Sequence, residues 1–180
     1  MIQLAAYRGK SWVSRAIRVL TYSEYSHTAV RFMCDLEVGT DRGVRKIAAG
    51  NVIEAWSGGV RLVKDLSAQH TPGTPVDLFE LKQPLTAGEA TQMAAFLVQQ
   101  LGKPYDYVNV MRFVPLARLL APRPAAGWWT RSHVFCSELA MEAFATAGRP
   151  LLERCPSWEV PPRDPPRSPR LEFVMTVMTQ

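Results

Sequence analysis

The clearest pattern of apolar and polar positions lies in the middle of the chain. Ala90, Met93, Ala94, Leu97, Val98 and Leu101 recur at intervals of three and four, with Gln92, Gln99 and Gln100 opposite. That is the period of an amphipathic helix. Thr86 and Glu89 stand at capping-box spacing before it, and Gly102 and Pro104 stop it. A later stripe, Leu139, Ala140, Ala143, Phe144 and Ala147, ends at Gly148 and places Cys136 at or just before the first helical turn. Near the start, Ser11 is an N-cap for a segment whose Trp12, Ala16, Val19 and Leu20 share one stripe, with Arg15 and Arg18 on a solvated face. Residues 108–120 are apolar enough for a buried helix, kinked or split at Pro115.

Between these stretches the period shortens to two. Residues 2–6, 26–34, 51–56, 60–63 and 76–81 read as strands, with 39–43 a turn and 44–49 a partner strand after it. His70 sits in a Pro/Gly loop, 69–75, that predicts an exposed ring, and 121–129 is a second Pro/Gly loop. Six prolines make 155–170 a stiff extended connection, followed by a closing strand at 171–177. The strands are grouped rather than alternating with helices, which predicts an α+β fold. At 180 residues the chain is read as a single domain, 1–180, without internal repeats.

Composition narrows the function. A hydrophobic fraction of 47% with 21% charged residues describes an ordinary globular protein. The net charge of +5 is scattered, and no basic run alternates with aromatics, so nucleic-acid binding is not expected. The start lacks the pattern of a signal peptide and no stretch has the length of a membrane span. The expectation is therefore a soluble protein made in the cytoplasm, reaching an envelope only through phage lysis or a secretion system. Cys34, Cys136 and Cys155 form no C-x-x-C pair and make no zinc spacing with the histidines, so neither a disulfide framework, a metal nor another cofactor is expected. Oligomeric state is not legible.

The chemistry centres on Phe135-Cys136-Ser137-Glu138-Leu139. A cysteine at a helix start meets unpaired N–H groups and the positive end of the dipole, which favour the thiolate. The same residue facing a core is otherwise a small hydrophobe. A nucleophile needs an imidazole, and His27, His70 and His133 are the candidates. His133 lies three residues before Cys136, and His27 opens a strand. Glu54, set between apolar residues and sharing a face with Val52 and Trp56, is costly if it points inward unpartnered. On a strand beside His27 it can hold one ring nitrogen and leave the other for the cysteine.

Taken in order, S-H-T-A-V at 26–30, V-I-E-A at 52–55, G-K-P-Y-D at 102–106 and F-C-S-E-L-A at 135–140 resemble the circularly permuted branch of the NlpC-type papain-like hydrolases. In that branch the histidine strand precedes the cysteine helix. The resemblance implies a papain-like fold with the cysteine helix against an antiparallel sheet, Cys136 as nucleophile, His27 as base and Glu54 orienting the imidazole. It also implies a cleft lined or supported by Ser26, Trp56, Tyr105 and Asp106, with the Cys136 N–H as an oxyanion donor. The implied reaction is acyl transfer onto Cys136 from an amide, with cell-wall stem peptides as the substrate class. The related lecithin:retinol acyltransferase group makes a thioesterase, lipase or acyltransferase the alternative, with 108–120 and Trp128-Trp129 bordering a lipid cleft. A non-catalytic binding module on the same fold is the third reading.

Overall fold

The computed structural model describes residues 2–41, 43–111, 113, 132–153 and 155–180, with Leu20 and Met111 described by backbone alone. The readings of a helix over most of 108–120, a loop at 121–129 and a cleft border at Trp128-Trp129 lie outside these residues.

The architecture is α+β. Six antiparallel strands form one sheet in the order β6-β5-β2-β1-β7-β8, and β3 and β4 form a separate pair. Their ranges are β1 Ile2–Tyr7, β2 His27–Phe32, β3 Leu36–Thr40, β4 Gly43–Ile47, β5 Val52–Trp56, β6 Gly59–Val63, β7 Pro75–Leu81 and β8 Leu171–Met178. The helices are α1 Trp12–Leu20, α2 Ala87–Gln100, α3 Tyr107–Met111 and α4 Cys136–Thr146. The segment read as a partner strand at 44–49 pairs with β3, not with β2, because the chain turns back after residue 40 rather than at 39–43 as a whole.

Alternation divides the sheet into two buried faces. Leu4, Val30, Phe32, Ile53 and Phe79 face α2 and α4, meeting Met93, Leu97, Leu139 and Phe144. Each such side chain removed from water contributes about 1.5–3 kcal/mol. Ala5, Tyr7, Ala29, Val52, Val76 and Leu78 occupy the other face, with Leu66 from the β6–β7 connection against them. α2 keeps its capping box, Glu89 N–H to Thr86 Oγ1 at 3.2 Å and Thr86 N–H to Glu89 Oε2 at 2.7 Å. Of the residues its spacing selects, Ala90, Met93, Ala94 and Leu97 are buried, and Val98 and Leu101 pack half-buried against the core.

α1 departs from its pattern. Ser11 caps it through Ser14 N–H, yet Trp12 and Val19 are 81% and 73% exposed. The stripe they share is real, but no described layer of the fold stands over it; Ile17, on another side, turns toward the Cys136 pocket. α3 likewise exposes Tyr107 and Val108 where a buried helix is expected. The proline-rich stretch is not a bare extended connection. It forms two 3-10 turns, Ser157–Glu159 and Pro165–Arg167, that pack on α4 and bury Val160, Pro165 and Pro166.

The two sheet edges differ. On β6, Val60 exchanges hydrogen bonds with Lys103 O and Gly102 N–H. Gly59 makes that approach possible, with φ +111° and a Cβ position only 2.5 Å from Lys103 O. Among the described residues β8 pairs with β7 alone and leaves Phe173, Val174, Met175 and Met178 exposed.

Candidate active site

Cys136 is the first residue of α4, and Ser137 pins that end by donating to Val160 O at 2.6 Å. The G-K-P-Y-D segment is zipped alongside: Val134 N–H donates to Pro104 O and Asp106 N–H to Val134 O, both at 3.1 Å. A parallel bridge then sets Tyr105 beside Val134. His27 opens β2, at the end of the sheet where α4 begins, directly opposite Tyr7 on β1.

One imidazole serves two partners. His27 Nε2 lies 2.7 Å from Glu54 Oε2. The ring also hydrogen-bonds the Cys136 sulfur, so Nδ1 is the nitrogen left to meet it. Thr28 and Ser137 donate backbone N–H groups to the same sulfur, and the Tyr105 hydroxyl donates to it as well. Burial alone would hold the Cys136 thiol up, but the charge and hydrogen bond of His27 and the two N–H groups bring it below its ordinary value. Burial works against charging His27 too, yet Cys136 and Glu54 raise it to about 9. Both shifts favour a thiolate–imidazolium pair.

Glu54 is fully buried, and its inward position is paired on both oxygens. Arg61 donates to Oε1 through Nε at 2.9 Å and Nη2 at 2.6 Å, while Oε2 faces His27 and, at 3.2 Å, His70 Nε2. Burial would push its carboxyl up; the two imidazoles outweigh this and hold it well below the usual range.

His70 corrects the expectation of an exposed ring. Its side chain is only 6% exposed, stacked on Tyr7 at 4.2 Å between centroids and edge-on to Trp56. The chain is turned inward just before it by Gln69, whose φ is +62° and whose side-chain oxygen accepts from Arg61. Burial and the neighbouring His27 charge lower its affinity for a second proton, against the pull of Glu54. His27, Glu54 and His70 thus bring three metal-ligating atoms within 4.8 Å of one another, a triplet with no local spacing in sequence.

The remaining predicted residues divide. Trp56 stands edge-on to the His27 ring at 5.0 Å. Ser26 Oγ accepts from Gly9 N–H and shares with Tyr105 and Cys136 a narrow pocket bounded by Ile17, Val110, Phe113, Phe135 and Pro162. Asp106 is buried and accepts from the N–H and side-chain amide of Asn109, so it caps α3 and supports the cleft from behind. His133 shares a hydrogen bond with Ser132, while the sulfur is met by His27. A cavity of about 900 Å³ lies elsewhere, between the β3–β4 hairpin and the end of α2. Among the described residues its lining holds no cysteine or histidine.

No family model matches the chain. It is 28% identical over 172 residues to the probable lipoprotein peptidase YaeF of Escherichia coli K12, an alignment covering 82% of this chain and 56% of that protein. The chain therefore spans about half the length of the curated relative it matches. Its fold resembles the crystal structure of metalloprotein yiiX from Escherichia coli O157:H7, with a TM-score of 0.63 and 19% identity over 96% of this chain and 94% of that one.

Proposed function

We propose that the chain is one papain-like domain of the permuted NlpC type, a cysteine hydrolase with Cys136 as nucleophile, His27 as acid–base and Glu54 as the group that orients it. The observation that carries this reading is the single imidazole shared between the Cys136 sulfur and a buried carboxylate. Around it charges alternate: thiolate, imidazolium, Glu54 carboxylate, Arg61 guanidinium. Each buried charge thus has an opposite neighbour, which is what such burial requires.

The thiolate attacks the carbonyl carbon, and its electrons move onto the oxygen, stabilised by the backbone N–H of Cys136 at the helix start. Collapse expels the amine, which takes the proton from His27 Nδ1. Neutral His27 then accepts a proton from water as its oxygen attacks the thioester, and the thiolate leaves with the carboxylic acid released. Tyr105, donating to the sulfur, holds the nucleophile toward the pocket. The similarity to a probable peptidase supports an amide substrate, and cell-wall stem peptides are the class proposed.

A second reading takes its support from the pocket itself. Ile17, Val110, Phe113, Phe135 and Pro162 give the space beside Cys136 apolar walls that match the chemistry of an acyl chain and hence ester or thioester cleavage, and its volume of about 10 Å³ must widen to admit one. The structural neighbour's description as a metalloprotein raises metal-assisted hydrolysis at His27, Glu54 and His70, where an ion would polarise a carbonyl or a water. The hydrogen bond of His27 to the Cys136 sulfur favours the thiol over that route, because a metal-based site has no use for it.

Mass spectrometry of the protein after exposure to stem-peptide fragments and, separately, to acyl thioesters tests both substrate classes. The expected result is an acyl adduct on Cys136 that is lost in Cys136→Ala. Adducts at Cys34 or Cys155 alone would overturn the assignment.

A further inference from the structure

A Cys–His–Glu relay uses one imidazole, and this site holds two. Glu54 is already fixed by Arg61 on one oxygen and His27 on the other, so His70 adds little to its orientation. Yet His70 is carried into the interior, stacked on Tyr7, and its Nε2 is aimed at the same Oε2 that His27 meets. Two imidazole nitrogens and one carboxylate oxygen converging on a point form the donor set of a divalent transition ion. Zn²⁺ sits about 2.0–2.2 Å from such atoms. The Nε2–Oε2 separations of 2.7 and 3.2 Å need small adjustments to admit it. Two nitrogens among three donors select against Mg²⁺ and Ca²⁺, which take oxygen. Arg61, bound to Oε1, keeps Glu54 monodentate and fills the supporting role that metal-binding carboxylates require.

We propose that His27, His70 and Glu54 form a Zn²⁺ site that excludes hydrolysis while it is occupied. Coordination takes the Nε2 lone pair of His27, and the proton of that nitrogen passes to solvent. The ring then keeps a single proton, on Nδ1, and has no lone pair with which to carry a second. It cannot accept the proton of the attacking water. Giving its Nδ1 hydrogen to a leaving group would leave an imidazolate, which makes it a far weaker acid than the imidazolium it replaces, so metal and acid–base chemistry alternate at one residue. His70 is the residue that makes the second state possible.

The binding claim stands apart from the hydrolase reading and is tested without substrate. The full chain, stripped by a chelator, is titrated with Zn²⁺ by calorimetry and with Co²⁺ by visible absorption. The expected result is one ion per chain, with tetrahedral cobalt bands and no sulfur-to-cobalt charge-transfer band. Cys136→Ala retains this binding. His70→Gln weakens it by at least about tenfold, the low end of what even supporting groups contribute to metal affinity. Absent binding, binding unchanged in His70→Gln, or a charge-transfer band that vanishes in Cys136→Ala would each overturn the site. Should His70→Gln fail to fold by circular dichroism, His70→Cys gives the same test: cobalt loading produces a charge-transfer band if position 70 is a ligand, and its absence refutes the site. Inhibition of acyl-adduct formation by Zn²⁺ at the concentration that saturates binding extends the inference. Adduct formation unaffected at saturation would overturn the exclusion while leaving the site intact.

Discussion

On the helix-facing side of the central sheet, Val30, Phe32, Ile53 and Phe79 meet α2 and α4 through apolar packing. On the other side, alternate positions of the same strands set His27 and Glu54 among Ala29, Val52 and Leu78. One side gains stability by removing hydrocarbon from water. The other holds charge out of water and is tolerable only because each ionised group has a partner within hydrogen-bond reach. The thiol proposed as nucleophile comes from the first side's helix and the imidazole proposed as base from the second side's residues, and they meet at the end of the sheet. A strand with two buried faces can therefore carry a core and a charge relay at once, because its period of two keeps them apart.

That division predicts which substitutions cost rate and which cost stability. His27→Ala lowers Cys136 acylation by about 10²–10⁴-fold, the range of a general base. Comparable loss in His133→Ala, with His27→Ala active, would move the base to the other histidine. Phe144→Ala, 1% exposed on α4, loses about 3–5 kcal/mol by urea denaturation while its folded fraction still acylates. An inactive but fully stable Phe144→Ala protein would break the comparison. Glu54→Gln, which keeps size and one acceptor, reduces acylation less than His27→Ala does; full activity would demote Glu54 to a structural partner of Arg61.

A last prediction concerns pH. Burial raises Glu138, at the first turn of α4, to about 8 despite the Phe135 N–H it accepts. The folded protein then retains a proton that the unfolded chain releases near 4.5. Stability is full below 4.5 and declines as pH rises from there to about 8, because the unfolded state binds fewer protons over that window. Urea midpoints measured across this range in Glu138→Gln should decline less steeply than in the parent protein; identical slopes would refute the buried acid.

Local signals carried much of the fold. The α2 capping box, the Gly148 stop and the place of Cys136 at a helix start depend on residues within a turn of one another, and they stand where their spacing puts them. The diagonal meeting of His27 and Glu54 was also legible, since alternation and the cost of an unpartnered carboxylate restrict where Glu54 can point. His70 was not, because its burial depends on Tyr7, distant in sequence, and on a left-handed turn at Gln69 that no glycine announces. The α1 stripe failed for another reason: periodicity states that an apolar face exists, and not that anything covers it. The Pro-rich stretch packs because α4 offers Ser137 and Glu142 as anchors, a fact written in another segment.

His27 lies near the start of the chain and Cys136 near its end, with most of the sheet between them. In the reading proposed above, the thiol at position 136 therefore keeps ordinary cysteine acidity while the chain collapses, and becomes the nucleophile only when its helix and the His27 strand have docked. On that reading, latency during synthesis follows from chain order itself. A half-made molecule holds the sulfur and the imidazole in separate, unassembled pieces.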